Sequence, residues 1–317
     1  MIKLLIGGSP CTFWSVAQRK HRETEPDGMG WELFKNYLLA REKFSPDLFL
    51  YENNVSAASA VKQEIRERLA VGGGEYIEIN SALVSAQNRK RFYVHNCGEV
   101  EQPRDRGILL SDILESGLSC RDKSLCLVST YYKKNENDYF PRRRGTVAFE
   151  PVGVGYRNRR EEDAKREKPC YEVKDRKIEI KGRTYAIRLP DGFYTIRKLT
   201  PIECERLQTM PDNYTAAVSA SQRYKALGNG WTAEAIKHIL GAGLRSVDRN
   251  EKLLVLSMYD GIGTGRYVLD SLGFRNVEYH SYEIDKFAIK VANSNYGDII
   301  QHGDAFDLRR SDWSLEP

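Results

Sequence analysis

The stretch KLLVLSMYDGIGTGRYVLDSLGF, residues 252–274, decides the fold because it has the order of a buried strand, a glycine-rich loop and a helix. Gly261, Gly263 and Gly265 would let backbone amides approach a ligand closely. The next apolar segment, VEYHSY, is followed by Glu283, where a nucleotide-binding α/β fold has a carboxylate for ribose hydroxyls. The stretch therefore predicts a nucleoside-binding unit, with a tight structural turn as the alternative.

The loop is not a phosphate-binding P-loop, because no Gly-Lys-Ser/Thr sequence follows it. A nucleoside ligand is therefore favoured over a triphosphate, and S-adenosylmethionine (SAM) fits. A further segment, ending in GDAF, places Asp304 at the next position along the same expected sheet edge.

The first part of the chain alternates short apolar segments with helical ones, which is typical of an α/β fold with a parallel sheet. Strands are predicted at 2–6, 48–51, 76–79 and 91–94, and helices at 31–43 and 56–70. The irregular sequence that follows suggests an inserted, smaller domain.

Regular structure resumes at LTPIECERLQTM. Thr200 and Glu203 have the spacing of a capping box, and Pro201 suits the first helical position. We expect a helix to start there and another at 233–244.

Composition narrows the class of protein. The 317 residues are 41% hydrophobic, which is enough for a globular core, and no apolar run has the length of a signal peptide or a membrane span. The six cysteines form no CxxC pair and the five histidines are scattered, so neither a metal site nor a disulfide framework is indicated. We therefore expect a cytoplasmic protein without membrane or metal partners.

The net charge of +5 is unevenly distributed. Lys and Arg exceed Asp and Glu between Tyr131 and Pro190, where aromatic residues are interleaved with basic ones. This mixture suits phosphates and base faces, with a solvated surface of mixed charge as the alternative.

Five further motifs occur along the chain. They are GGSPC at 7–11, ENN at 52–54, QNRKR at 87–91, RKLTPIECERLQTMPDNY at 197–214 and GNGW at 228–231. In spacing and order they resemble the motifs of DNA cytosine-C5 methyltransferases, and DGIGTG resembles the cofactor loop of that family. The resemblance implies a Rossmann-like SAM-dependent methyltransferase fold with a mostly parallel, doubly wound sheet.

The PC motif stands near the start of this chain and the cofactor loop near its end, whereas the family usually has the reverse order. This predicts a circular permutation, in which strand 2–6 lies beside strand 253–258. SMYDGIGTG, LGNGW and IGGSPC look most similar to the animal de novo DNA methyltransferases and their phage or bacterial relatives. The expected domains are a catalytic half at 1–96, a target-recognition domain at 97–195, and the remainder with the SAM-binding half at 196–317.

The resemblance gives Cys11 the role of nucleophile. Cytosine C5 reacts poorly with a methyl sulfonium, so a thiolate must first add to C6. A free thiol has a pKa of about 8.5, and a turn beside helix amides would raise the thiolate fraction. The alternative for Cys11 is a small buried hydrophobe.

Glu52 follows strand 48–51, at the edge where α/β folds place their chemistry. The resemblance implies that Glu52 holds or supplies a proton at N3 of the base, that Arg91 binds O2 and orients Glu52, and that Arg89 assists. A plain strand-end carboxylate and surface salt bridges are the alternatives. The sequence does not identify the base that removes the C5 proton, which leaves water as a candidate.

The other expected site residues are carried over by position. Those for SAM, and for its product S-adenosylhomocysteine, are Pro10, Asn229, Gly230, Trp231, Tyr259, Asp260, Gly261, Ile262, Gly263, Thr264, Glu283, Ile284, Asp304 and Ala305. Those for double-stranded DNA, from which the cytosine would be flipped, are Ser9, Thr12, Gln87, Arg142, Arg143, Arg144, Arg157, Arg159 and Arg160. Thr12 stands where the bacterial pattern has Gln, which leaves open how the gap in the duplex is filled.

Three functions fit these motifs: a DNA cytosine-C5 methyltransferase, an RNA methyltransferase with the same chemistry, and an inactive DNA-binding relative. The long middle region favours DNA, and intact Cys11, Glu52 and Arg91 favour an enzyme. In a bacterial host, association with the nucleoid and a restriction endonuclease as partner would fit. The motifs indicate neither the target sequence nor the oligomeric state.

Overall fold

The computed structural model describes residues 1–16, 22–133, 145–153 and 169–315. The arginines expected to contact DNA lie outside the described residues: Arg142, Arg143, Arg144, Arg157, Arg159 and Arg160.

The strands of the described residues form two sheets. In chain order they are β1 (Ile2–Gly7), β2 (Leu48–Asn54), β3 (Glu75–Asn80), β4 (Lys90–His95), β5 (Val147–Pro151), β6 (Cys170–Lys174), β7 (Lys177–Ile180), β8 (Arg183–Ala186), β9 (Gly192–Lys198), β10 (Leu253–Met258), β11 (Val277–Tyr282) and β12 (Ile299–Gln301).

The described residues also form α-helices, which connect strands along the chain. They are α1 (Gly28–Phe44), α2 (Ser59–Ala70), α3 (Leu110–Ile113), α4 (Pro201–Leu207), α5 (Ala220–Asn229), α6 (Ala233–Gly243), α7 (Thr264–Ser271) and α8 (Lys286–Asn295).

The larger sheet has the strand order β12-β11-β10-β1-β2-β4-β3. Its first five strands in this order run parallel to one another, and β4 is antiparallel to both of its neighbours. The fold is therefore mixed α/β with a mostly parallel sheet, as expected. The prediction of a parallel arrangement was wrong for β4, because the connection from β3 is too short for the crossover that a parallel neighbour requires.

The pairing of β1 with β10 joins the two ends of the chain. Ile2 lies opposite Leu253 and Gly7 opposite Met258, which confirms the predicted neighbourhood of these two strands. A Cβ on Gly7 would lie 2.7 Å from the Met258 carbonyl oxygen, so only glycine allows this close approach. The carboxyl ends of β1, β2 and β10 consequently meet at one edge.

Helices cover both faces of the larger sheet. Leu4 and Ile6 pack in one core cluster with residues of α6, α7 and α8, whereas Leu5 packs in the other with residues of α1 and α2. This alternation follows from the two-residue period of a strand, and burial on both faces explains the continuous apolar sequence of β1 and β10.

The smaller sheet is antiparallel, with the order β5-β9-β6-β7-β8. Its strand β9 extends to Lys198, so the boundary expected at 195 falls inside a strand. Arg197 at the end of β9 donates two hydrogen bonds of 2.7 Å to the buried Glu203 carboxylate. This bidentate interaction connects the smaller sheet to α4.

Helix α4 starts as predicted. The Glu203 amide donates to Thr200 Oγ1 at 3.1 Å, and the Thr200 amide donates to Glu203 Oε2 at 2.8 Å. This capping box satisfies two amides that would otherwise lack partners at the helix start.

We predict that Gly228→Ala destabilises the protein. A Cβ at position 228, in α5, would lie 2.3 Å from the Ser129 amide nitrogen and 2.4 Å from the Val128 carbonyl carbon. Because both are backbone atoms, overpacking should lower the free energy of unfolding by about 1–3 kcal/mol. Thermal or denaturant unfolding measures this change.

Gly241→Ala in α6 is the matched control. A Cβ there would meet one side-chain atom of Leu272, at an ordinary distance of 3.5 Å. Alanine is the better helix former, so this variant should be as stable as the parent chain or more so. Equal stability losses in the two variants would contradict the proposed packing of α5 against residues 128–129.

Candidate active site

Glu52 and Arg91 form a nearly buried ion pair at the carboxyl edge of β2. Arg91 Nε lies 2.8 Å from Glu52 Oε1, and the two side chains are only 8% and 11% exposed. In the antiparallel ladder Glu52 lies opposite Tyr93, and Arg91 lies two positions from Tyr93, so Arg91 shares the face of Glu52. Arg91 is thus in direct contact with the Glu52 carboxylate, which is the contact that the expected orienting role requires.

Trp231 also contacts this carboxylate. Its indole Nε1 donates to Glu52 Oε2 at 3.1 Å, so each carboxylate oxygen has a donor. The sequence assigned Trp231 to the cofactor and gave no signal for this bond, because the two residues lie far apart in the chain.

Arg89 bonds to backbone carbonyls next to the site. Its side chain is buried and donates to the Gly230 carbonyl at 2.7 Å, the Leu127 carbonyl at 3.2 Å and the Gly228 carbonyl at 3.4 Å. These bonds hold the turn between α5 and α6. Arg89 therefore supports the turn that carries Trp231.

Gln87 is fully buried and bonds within the protein. Its amide donates to the Leu207 carbonyl and to Gln208 Oε1, both at 3.2 Å, and its oxygen accepts from the Leu127 amide at 2.7 Å. The QNRKR and RLQ motifs thus bind each other. The position expected for a DNA contact holds the scaffold together instead.

Ser9 is likewise turned inward. Its hydroxyl lies 2.7 Å from Tyr51 Oη, and Asn53 Nδ2 donates to the Ser9 carbonyl at 2.9 Å. These bonds fix the segment just before Pro10 and Cys11, which does not fit the DNA contact expected of Ser9. Thr12, by contrast, is exposed.

Cys11 follows β1 and begins a turn. The amides of Trp14 and Ser15 donate back to the Cys11 carbonyl, and the next helix among the described residues, which omit 17–21, is α1 from Gly28. We expected amides near this turn to raise the thiolate fraction, whereas the pKa of the thiol is shifted in the opposite direction. Burial raises the pKa of the Cys11 thiol, with the nearby Arg91 charge opposing this effect.

A second thiol, that of Cys126, lies beside the same arginines. Arg89 Nη1 is 3.4 Å from Cys126 Sγ. Burial disfavours the thiolate here too, but Arg89 and Arg91 outweigh it and lower the pKa of Cys126. Cys126 could not be identified from the sequence, because nothing in its spacing links it to the motifs.

The glycine-rich loop joins β10 to α7. Gly261 and Gly263 have φ values of 66° and 76°, and Tyr259 has a φ of 60°, so three residues of this loop adopt the left-handed conformation. The Gly261 amide donates to Glu283 Oε2 at 2.9 Å, while the Ile284 and Asp285 amides donate to the other oxygen. The expected acid therefore lies against the loop.

The surroundings of the loop could hold a nucleoside. Nothing lies within 4 Å of a Cβ built on Gly261, and the adjacent Ile284 is 73% exposed at the sheet edge. Asp304 and Asn229 are exposed, whereas Ala305 and Ile262 are buried. Open space, an acid and an exposed apolar side chain form a combination that fits an adenosine group.

Asp260 in the same loop is buried. Its Oδ1 accepts from Ser257 Oγ and Tyr279 Oη, both at 2.6 Å, and its Oδ2 has no hydrogen-bond partner among the described residues. Burial raises the pKa of this carboxyl, against the effect of the two hydroxyl donors. These bonds fix the start of the loop.

Two features are absent from the described ranges, which omit residues 17–21, 134–144, 154–168 and 316–317. These ranges contain no group of three or more His, Cys, Asp or Glu residues that could hold a metal ion. None of their helices has the length and apolar character needed to cross a bilayer.

Comparison with known proteins identifies the family. Residues 1–244 match the model of the C-5 cytosine-specific DNA methylases. The chain belongs to this family. Members use SAM as the methyl donor, and the match includes Cys11, Glu52, Arg91 and Trp231 but ends before the glycine-rich loop.

Two relatives extend this comparison. The chain is 37% identical over 82 residues to the DNA (cytosine-5)-methyltransferase DRM2 of Oryza sativa subsp. japonica, covering 26% of this chain and 13% of DRM2. It is 24% identical over 275 residues to the type II methyltransferase M1.ScrFI of Lactococcus lactis subsp. cremoris, covering 78% of this chain and 64% of the relative. The chain thus spans less than two thirds of each.

We predict that iodoacetamide modifies Cys126 faster than Cys11 in the free protein near neutral pH. The thiolate is the reacting form, and the pKa shifts of the two half-buried thiols have opposite directions. Peptide mass spectrometry over time measures both rates. The fully buried Cys204 is the control and should stay unmodified while the protein is folded. Faster modification of Cys11 than of Cys126 would contradict the proposed directions of the two pKa shifts.

Proposed function

We propose that the protein is a SAM-dependent DNA (cytosine-5-)-methyltransferase that forms a covalent bond between Cys11 and the base. The observation that carries this proposal is the Glu52–Arg91 pair, whose charges act on the Cys11 thiol where β1 and β2 end beside the glycine-rich loop. Methyl transfer to a pyrimidine carbon requires a nucleophile, an acid and a nucleoside-binding site at one edge of the sheet.

The cofactor would lie over the glycine-rich loop. Glu283 would accept the ribose hydroxyls through its remaining lone pairs, and Ile284 would contact the adenine. Tyr259 to Thr264, Asp304, Ala305, Pro10 and the turn at Asn229 to Trp231 would complete the site. When bound, SAM supplies an electrophilic methyl group.

Cys11 would act first, by losing its proton and adding its sulfur to C6 of the flipped cytosine. This addition makes C5 nucleophilic enough to take the methyl group, and SAM would leave as S-adenosylhomocysteine. Loss of the C5 proton, with water as the candidate acceptor, then lets the Cys11 sulfur leave by β-elimination. The cysteine is regenerated and the product is 5-methylcytosine.

Glu52 and Arg91 would assist the addition. Glu52 would hold or supply a proton at N3, which withdraws electrons from the ring while sulfur adds. Arg91 already fixes one oxygen of Glu52 and would bind O2 of the base with its guanidinium. Arg89 would act through the turn that it holds.

The middle region would read the DNA. We propose residues 97–195 as the target-recognition domain, with the smaller sheet as its frame and basic residues of this range as phosphate and base contacts. Flipping the base costs a few kcal/mol, which those contacts must offset. Thr12, the exposed residue after the nucleophile, would lie toward the duplex, and a restriction endonuclease would be the partner in a restriction system.

We also propose that the chain is a circular permutant resembling the animal de novo branch. The support is the parallel pairing of β1 with β10, the ion pair of the Met1 amine with Glu251, and a family match that stops at residue 244. Trp231 and the DGIGTG loop support the branch.

The function is tested by methyl incorporation from labelled SAM. We expect incorporation into duplex DNA with tRNA unlabelled, and bisulfite sequencing then gives the target. Cys11→Ala should abolish methylation while the SAM affinity stays nearly unchanged, because the thiol is needed only for the attack on C6. Turnover in this variant, or labelling of tRNA alone, would contradict the proposal.

The permutation is tested by restoring the usual order. A chain that runs from Glu251 to Pro317, through a Gly/Ser linker, and then from Met1 to Asn250 should fold and methylate DNA, because β1 and β10 can pair in either order. Circular dichroism and methyl incorporation check this. A soluble, folded but inactive product with several linker lengths would argue against a permuted origin.

A further inference from the structure

The carboxylate of Glu52 is held at both oxygens before any substrate binds. Arg91 Nε lies 2.8 Å from Oε1, and Trp231 Nε1 donates to Oε2 at 3.1 Å. Gly8 packs against the same residue, since a Cβ there would lie 2.4 Å from the Glu52 carbonyl oxygen and 3.1 Å from Oε2. Glu52 thus has little freedom to rotate.

The turn that carries Trp231 is itself fixed. The Gly230 carbonyl accepts from Arg89 Nη2 at 2.7 Å and from Gln208 Nε2 at 3.3 Å. On the other side of Trp231, Thr232 Oγ1 donates to Gln208 Oε1 at 3.0 Å and accepts from Ser81 Oγ at 2.8 Å. Bonds on both sides of Trp231 therefore present the indole N–H in a defined place.

We propose that Trp231 is a positioning residue for Glu52, acting through its indole N–H on Oε2, in addition to any contact with the cofactor. This inference rests on the proposed function. Two donors on different oxygens define the plane of a carboxylate, whereas Arg91 alone, bonded through Nε, leaves the carboxylate free to turn about that bond. The QNRKR, RLQ and GNGW motifs would together serve this one placement.

Trp231→Phe tests the inference, because it removes the N–H and keeps an aromatic ring. At saturating SAM and DNA we expect kcat to fall about tenfold or more, the loss typical of a hydrogen bond to a charged group. The KM for SAM should change little. Trp31→Phe on α1, where Trp31 contacts Phe34, is the control and should keep the parent kcat.

A double-mutant cycle separates positioning from general structural support. In a Glu52→Gln background, Trp231→Phe should cause no further loss in the single-turnover rate, because the carboxylate that it positions is gone. A raised KM for SAM with unchanged kcat would overturn the inference, as would the same loss in both backgrounds. Should Trp231→Phe fail to fold, a benzothienylalanine at position 231 keeps the shape, replaces N–H by sulfur and should show the same loss.

The activity of the unsubstituted parent protein separates a failure of this inference from a failure of the proposed function. If the parent methylates no cytosine in duplex DNA, the proposed function fails. If the parent is active and the position 231 variants keep its kcat, the function stands and the positioning role is wrong.

Discussion

The parallel pairing of β1 with β10 is the constraint on which the site depends. It joins the first residues of the chain to a strand that starts at Leu253 and aligns Gly7 with Met258, so both strands end at one edge. Cys11 follows one of these ends and the glycine-rich loop follows the other. Because β2 pairs on the far side of β1, Glu52 reaches the same edge. Cys11, the glycine-rich loop and Glu52 therefore meet at this edge although they are distant in sequence.

A network of hydrogen bonds next to this edge is centred on the Gly230 carbonyl oxygen. Arg89 from QNRKR and Gln208 from RLQ both donate to it, and Gln87 bonds Gln208 in turn. Most buried polar groups in proteins find hydrogen-bond partners, and these bonds restrain the three side chains. Motifs separated by more than a hundred residues therefore act as one support, which presents Trp231 to Glu52.

Much of this could be predicted from sequence, because strands, caps and motif positions are local signals. The strands at both chain ends, the helix start at Thr200 and the neighbourhood of β1 and β10 were confirmed. The directions of side chains were not predictable. Ser9, Gln87 and Arg89 occupy motif positions but form hydrogen bonds within the protein. A motif identifies a position in the sequence, whereas tertiary contacts determine the direction of its side chains. The buried surroundings of Cys11 and the lowered pKa of the Cys126 thiol likewise depend on packing between distant segments.

The most direct measurement is a covalent trap with duplex DNA that contains 5-fluorocytosine, incubated with SAM. Fluorine at C5 cannot leave as a proton does, so the adduct cannot undergo β-elimination. We predict a stable protein–DNA complex whose peptide map shows the modification on Cys11, together with the transferred methyl group. Attachment at Cys126, the competing thiol beside Arg89, or active methylation of ordinary cytosine without any trapped complex would contradict the central claim that the Cys11 sulfur attacks the base at this edge.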